Sequence, residues 1–160
     1  AQQLSLRSNY LIRRALTATP FKAKNKLTQI FIDRLEFDLT KAQNKVIQEI
    51  KNDLEKNHPM QRLLQGDVGS GKTVVATIAA LQVIENGSQV AFMAPTEILA
   101  EQHYRKISQW LTPLDIKVAW LTGSQSKKER ESALNMTASG EAQIVVGHTH
   151  FFRNKLYLKN

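Results

Sequence analysis

The stretch Gly66-Asp67-Val68-Gly69-Ser70-Gly71-Lys72-Thr73 matches the pattern G-x-x-x-x-G-K-[S/T] in full. It follows a short run, Arg62 to Gln65, that predicts a β-strand, and it opens a stretch that predicts an α-helix. The glycines let the backbone direct its N–H groups at phosphate oxygens, and the N-terminus of the following helix adds partial positive charge. Lys72 can bridge the β- and γ-phosphates, and the Thr73 hydroxyl can ligate Mg²⁺. We therefore expect a nucleotide site with Lys72 and Thr73 as its catalytic residues.

Downstream of this loop, helical and strand patterns alternate. The apolar spacing predicts helices over Lys72 to Glu85, Glu97 to Trp110 and Lys127 to Met136, and strands over Gln89 to Met93, Ile116 to Leu121 and Ile144 to Val146. Strands separated by helices of this length imply right-handed crossovers and a parallel sheet. The first of these helices is apolar almost all round, so we expect it to be deeply buried against the sheet.

Upstream, the pattern is helical and basic. Apolar residues from Leu4 to Leu16 recur at helical spacing up to Pro20, a second helix is predicted from Lys24 to Leu35, and Thr40 can cap a third that runs to about Lys56. Six basic residues precede the first acid, Asp33: Arg7, Arg13, Arg14, Lys22, Lys24 and Lys26. They form either solvated helix faces or a phosphate-facing surface. We assign residues 1–36 to a basic helical linker and residues 37–160 to an α/β domain.

The whole composition fits one domain that acts on a polyanion. The 160 residues include 22 Lys+Arg and 14 Asp+Glu, a formal net charge of +8. No apolar run approaches the ~20 residues of a membrane-spanning helix, so no membrane partner is expected. The sequence has no Cys, which suits a reducing cytoplasm and excludes thiolate chemistry. It does not begin with Met, so we expect a piece of a longer chain.

Four motifs carry a resemblance to a known family. Pro59 to Ala76, which contains the loop, resembles the first motif of the RecG-type ATP-dependent DNA helicases of superfamily 2. Ala94-Pro95-Thr96-Glu97-Ile98-Leu99-Ala100-Glu101-Gln102-His103 is similar to the next motif of that family, which touches DNA. Leu39 to Gln43 resembles its adenine-reading element, and Leu121-Thr122-Gly123 resembles a third, DNA-facing motif. Ser70 stands where the transcription-repair coupling factors usually carry Phe, which favours the RecG type.

The resemblance implies a RecA-like lobe of an ATP-dependent helicase that remodels branched DNA in repair and recombination. It implies ATP and Mg²⁺ as cofactors, branched or duplex DNA as partner, a second motor lobe and a wedge domain in the parent protein, and a bacterial, nucleoid-associated, cytoplasmic location. The nucleotide contacts that it implies are Gly66, Asp67, Val68, Gly69, Ser70, Gly71, Lys72, Thr73, Gln43 and Phe37. The DNA contacts that it implies are Pro95, Thr96, Gln102, Thr122 and Gly123.

Each contact outside the loop has a functional and a structural interpretation. The Gln43 amide can donate to adenine N7 and accept from N6, or it is an exposed helix residue. Phe37 packs either on the base or in the core. Thr96 caps a helix whose N–H groups either meet a DNA phosphate or serve only the cap. Thr122-Gly123 allows close backbone approach to phosphate or forms a plain turn.

Two features depart from a complete motor. In Val146-Gly147-His148-Thr149-His150 the Thr-His pair is displaced by one residue from the family pattern, so Thr149 receives no DNA role; a zinc site at these His residues is rejected. The Asp-Glu pair that holds Mg²⁺ and polarises water is absent. Ile30-Phe31-Ile32-Asp33 lies on a helical pattern and is rejected. We expect the chain to be the first lobe truncated before those acids, and inactive alone.

Two alternatives remain open at this stage. The parent could be another superfamily 2 translocase, such as a transcription-repair coupling factor. It could also belong to a different class, the phosphate-loop phosphotransferases that act on small molecules, which would need a lid and a substrate pocket.

Overall fold

The computed structural model describes residues 20–56 and 71–148. The helices are α1 (Lys26–Asp33), α2 (Lys41–Leu54), α3 (Lys72–Glu85), α4 (Glu97–Leu111) and α5 (Lys127–Ser139), and the strands are β1 (Val90–Ala94), β2 (Val118–Leu121) and β3 (Ile144–His148). The helix expected between Leu4 and Leu16 and the strand expected at Arg62 to Gln65 lie outside the described residues.

The three described strands form one parallel sheet in the order β1-β3-β2, which confirms the predicted parallel arrangement. The central strand β3 is buried from Ile144 to Gly147, as expected for a strand covered on both faces. Gly147 pairs with Met93 on one side and with Leu121 on the other. The carboxyl ends of all three strands therefore meet at one edge of the sheet.

Several predicted bounds shift for identifiable reasons. The strand expected from Ile116 begins at Val118, because Thr112–Leu114 forms a 3-10 turn that ends at Asp115 in a left-handed conformation, φ 60°. The strand expected to end at Val146 continues to His148, because backbone pairing with β1 extends to that residue. The helix expected to end at Met136 reaches Ser139, where Gly140 with φ 82° ends it.

Helix α3 is buried, as its apolar sequence predicts, but the sheet covers only part of it. It contacts β1 on one side and both α1 and α2 on the other. One core cluster joins these layers and is formed by Phe31, Ile47, Ile50, Val74, Val75, Ile78, Ala80, Leu81, Ile84, Ile107, Leu111, Ile116, Ile144 and Val146. Helices α1 and α2 thus supply a third layer over the loop-bearing helix.

The segment ahead of α1 is fixed to the C-terminal ends of α2 and α3. The buried Gln82 side chain donates from Nε2 to the Phe21 carbonyl at 2.6 Å and to the Lys51 carbonyl at 3.2 Å. Asn86 Nδ2 donates to the Lys22 carbonyl at 2.9 Å, and the Phe21 N–H donates to the Leu54 carbonyl at 2.8 Å. Side chains on α3 therefore hold a segment about 60 residues earlier in the chain.

The rejection of Asp33 as a catalytic acid agrees with its place in the fold. Asp33 is the last residue of α1 and accepts a hydrogen bond from Gln29 Nε2 at 2.8 Å. Phe31 of the same helix packs in the core that it shares with the sheet. The domain division at residue 37 stays a prediction. Among the described residues no helix is long and apolar enough to cross a membrane.

Candidate nucleotide and nucleic-acid interface

The N-terminus of α3 presents the described part of the glycine-rich loop. Gly71 is the N-cap residue with φ 82°, and Lys72 follows as the first helical residue with an exposed side chain. The first turn of α3 contains no acidic residue that would compete with an incoming anion. Backbone N–H groups at such a terminus have no partner within the helix and favour negative charge. Gly66 to Ser70 lie outside the described residues.

Gln43 lies directly against the start of α3. A Cβ added at Gly71 would overlap the Gln43 Nε2 atom, so a side chain at position 71 and the amide of Gln43 cannot share this space. The left-handed φ of Gly71 independently favours glycine. The structure thus brings together two residues that the sequence assigned to one nucleotide, although 28 positions separate them.

Gln43 also has a structural role that the sequence interpretation missed. Its Oε1 accepts from the Thr40 backbone N–H at 2.8 Å, and Thr40 Oγ1 accepts from the Gln43 N–H at 3.1 Å. This is a capping box, and its signal, Thr followed three residues later by Gln, was present in the sequence. Gln43 is therefore more than an exposed helix residue, and its contact with adenine stays a prediction.

Phe37 lies on the surface, three residues before the capping box. Its exposed fraction is 47%, so the core interpretation of this side chain is wrong. Packing of its ring on a nucleotide base stays a prediction.

The end of β1 forms the first of two turns at the carboxyl edge. Pro95 and Thr96 are exposed there, and Thr96 Oγ1 accepts from the Leu99 N–H at 3.2 Å, which confirms the predicted helix cap. Gln102 is exposed on the second turn of α4. Contacts of these residues with DNA stay a prediction.

The end of β2 forms the second turn, and its polar groups are held within the protein. Thr122 is buried, with an exposed fraction of 4%. Its N–H donates to Gln125 Oε1 at 3.1 Å, its carbonyl accepts from Arg130 Nη2 at 3.4 Å, and its hydroxyl lies 3.3 Å from Ser124 Oγ. Gly123 itself is exposed. The turn is therefore a preformed backbone surface, with the side chain of Thr122 turned inward.

A carboxylate occupies the backbone donor of this turn. The Gly123 N–H donates to Glu97 Oε1 at 2.9 Å. Glu97 and Gly123 are 26 residues apart, so no local pattern in the sequence could have predicted this contact.

The two described histidines, His103 and His148, lie in different elements. His103 packs against Phe92 with ring centroids 5.1 Å apart, and burial lowers the pKa of its imidazole. His148 ends β3, and Thr149 and His150 lie outside the described residues. Within residues 20–56 and 71–148, no group of three or more His, Cys, Asp or Glu could hold a metal ion.

A parallel sheet, with a Gly-Lys-Thr helix start and two preformed turns, defines a RecA-like nucleotide-binding lobe. The DEAD/DEAH box helicase family matches residues 40–160, about three quarters of the sequence. The chain belongs to the DEAD/DEAH box helicase family.

Individual relatives agree with this assignment. The chain is similar to the ATP-dependent DNA helicase RecG of Haemophilus influenzae, with 44% identity over 98% of the chain and 22% of the relative. It is similar to the RecG of Escherichia coli strain K12, with 46% identity over 87% of the chain and 20% of the relative. The solved structure of RecG bound to a three-way DNA junction superposes with a TM-score of 0.88 at 42% identity, covering 99% of this chain and 22% of that one. The predicted RecG-type resemblance is thus confirmed, and the chain spans about a fifth of the length of these relatives.

Proposed function

We propose that the chain is the ATP-binding motor lobe of a DNA helicase that remodels branched DNA in repair and recombination. The observation that carries the proposal is the junction of Gln43, Gly71 and Lys72, which places an amide beside an anion-binding helix start. Similarity to RecG, which has been solved bound to a three-way DNA junction, supports the choice of substrate. Family membership favours this function over a small-molecule phosphotransferase.

The residues present fit ATP and Mg²⁺. The exposed Lys72 would neutralise the β- and γ-phosphates, the loop from Gly66 would surround them with N–H groups, and the Thr73 hydroxyl would ligate the metal. Gln43 would read adenine, and Phe37 would pack on the base. When bound, Mg²⁺ supplies charge neutralisation on the phosphates.

DNA would lie along the carboxyl edge of the sheet. Pro95, Thr96 and Gln102 would contact it after β1, and the exposed Gly123 would contact it after β2, where the buried Thr122 would hold the turn in shape. Backbone N–H groups and helix N-termini are common phosphate partners in nucleic-acid complexes. In the whole protein, a second motor lobe and a wedge domain would complete the machine, in the bacterial cytoplasm at the nucleoid.

The test compares two lysines at the same position in their helices. Lys72 and Lys26 are both exposed first helical residues, and each follows a residue with left-handed φ, Gly71 or Asn25. In the full-length protein, Lys72→Ala should weaken ATP binding by about 2 kcal/mol, or about 30-fold, because a charge-assisted contact is lost. It should also abolish ATP turnover stimulated by a three-way DNA junction. Lys26→Ala should leave the affinity for ATP unchanged.

Calorimetry with ATP and a turnover assay with and without junction DNA measure these effects. Equal ATP affinity in the wild-type protein and Lys72→Ala would contradict the nucleotide site. ATP turnover that is unchanged by junction DNA but increased by a small-molecule phosphate acceptor would favour the phosphotransferase alternative.

A further inference from the structure

One side chain joins the two turns at the carboxyl edge. Strands β1 and β2 do not pair with each other, because β3 lies between them. Strands two positions apart are separated by about 10 Å, twice the usual strand spacing. Glu97, the first residue of α4, spans this gap, since its Oε1 atom accepts from the Gly123 N–H at 2.9 Å. Glu97 therefore lies beside the first turn and occupies the Gly123 N–H, the backbone donor of the second turn.

The Glu97 contact differs from the other contacts of the second turn. Gln125 and Arg130, which hold Thr122, follow it closely in sequence and are half-buried. Glu97 comes from a separate element and is exposed, and Gly123 is exposed as well. An exposed side chain on another helix can leave the donor without dismantling the turn. The Glu97–Gly123 hydrogen bond is thus the contact that an incoming anion can replace.

We propose that Glu97 is an internal substitute for a DNA phosphate, and that DNA binding at Gly123 displaces its carboxylate. The inference rests on the proposed function, because it takes the Gly123 turn as a DNA contact. A carboxylate and a phosphate are both anionic oxygen acceptors, and one N–H cannot serve both at full strength. A phosphate beside the Gly123 N–H would also be repelled by the carboxylate of Glu97. Glu97 therefore lowers the affinity for DNA below that of a turn whose Gly123 N–H is unoccupied.

Two substitutions separate hydrogen bonding from charge. Glu97→Gln retains an oxygen acceptor for Gly123 and removes the negative charge, whereas Glu97→Ala removes both. Glu131→Gln is the matched control, because Glu131 is an exposed carboxylate on α5, the next helix after the turn. The probe is a labelled three-way DNA junction, titrated with the full-length protein and its variants at two salt concentrations. Thermal unfolding of each variant checks that the fold persists.

We expect Glu97→Ala to bind the junction about fivefold more tightly than the wild-type protein, which corresponds to one exchanged hydrogen bond. Glu97→Gln should gain less affinity for the junction. This gain should disappear at high salt, because it comes only from the removal of charge repulsion, which salt screens. Part of the gain in Glu97→Ala should persist at high salt. Glu131→Gln should bind like the wild-type protein.

Two results would overturn the inference while leaving the proposed function intact. Weaker binding by Glu97→Ala with unchanged binding by Glu97→Gln would mean that the hydrogen bond from Gly123 to residue 97 stabilises the turn in its binding conformation. Unchanged binding by both variants would remove any role at the DNA edge. If neither the wild-type protein nor any variant bound the junction, the proposed function would fail, and this inference would fail with it.

Discussion

Gly71 and Gly87 share the same left-handed backbone angle, φ 82°, but differ in their surroundings. A Cβ at Gly87 would meet no atom within 4 Å, whereas a Cβ at Gly71 would overlap Gln43 Nε2. The two positions therefore separate the cost of a strained backbone from the cost of displacing Gln43. Because the Gln43 amide ends a flexible side chain, it can move aside, but the capping box at Thr40 is then lost.

This difference leads to a prediction about stability. Gly87→Ala should lower the free energy of unfolding by about 1–2 kcal/mol through backbone strain alone. Gly71→Ala should cost about 1 kcal/mol more, the usual value of a helix cap. Chemical denaturation of both variants measures the excess, which should vanish when both proteins also carry Gln43→Ala. If Gly71→Ala still costs more stability than Gly87→Ala when both proteins carry Gln43→Ala, displacement of Gln43 is not the cause of the difference.

A second prediction separates the two roles of Gln43. Gln43→Glu keeps an acceptor suited to the capping box but cannot donate to adenine N7. It should retain the free energy of unfolding to within about 0.5 kcal/mol, whereas Gln43→Ala should lose about 1 kcal/mol. Gln43→Ala should compress the preference of the full-length protein for ATP over GTP, since a bidentate base contact is worth roughly 1–3 kcal/mol. Gln43→Glu should weaken the binding of both nucleotides, because N7 is common to adenine and guanine, but it should keep the preference, because its oxygen still accepts from adenine N6–H.

Glu129→Ala provides the control for that experiment. It breaks the equivalent capping box at Ser126, so it should cost similar stability without altering nucleotide preference. An unchanged ATP to GTP ratio in Gln43→Ala, together with unchanged ATP affinity in Gln43→Glu, would restrict Gln43 to the cap.

At the scale of the elements, the sequence predicts what local patterns control. Both ends of α3 were predicted correctly, because a glycine-lysine start and a continuous apolar face mark them. The end of β3 was predicted two residues early, because pairing with β1, 54 residues away in sequence, determines it. The contacts of Gln82 with Phe21 and of Glu97 with Gly123 join residues far apart in sequence, so no local pattern of apolar and polar residues predicts them. The missed features of the site are thus long-range hydrogen bonds, together with one capping box whose signal was overlooked.

The packing of α4 on β1 predicts a pH dependence. Burial lowers the pKa of His103, so the unfolded chain takes up a proton at a higher pH than the folded chain does. Stability therefore falls as the pH decreases through about 6.5, the ordinary histidine value, towards the lower folded value. His103→Phe keeps an aromatic ring beside Phe92 and removes this titration, so its stability should fall less between pH 7 and pH 5.5. Denaturation curves across that range give the comparison, and parallel slopes in the two proteins would contradict it.

At the scale of the whole molecule, one core connects the N-terminal helices to the sheet. Phe31 on α1 is 1% exposed and meets the Trp110 ring of α4 edge-on, with centroids 5.6 Å apart. Phe31→Ala should lower the free energy of unfolding by about 3–5 kcal/mol. Phe37→Ala removes the same ring from the surface and should cost about 0.5 kcal/mol or less.

Amide hydrogen exchange tests whether this core is cooperative. If it is, Phe31→Ala should accelerate exchange in β3 as well as in α1, because both open together. Faster exchange confined to α1 would show that this helix unfolds independently of the sheet.

The attachment of Phe21 and Lys22 to α3 has a mechanical consequence. A helix of 14 residues is about 21 Å long and stiff along its axis. Lys72 lies at one end of α3, and Gln82 and Asn86 hold the incoming segment at the other. A displacement of the segment at Phe21 and Lys22 would therefore act first on the C-terminal ends of α2 and α3, and α3 is the helix whose opposite end carries Lys72.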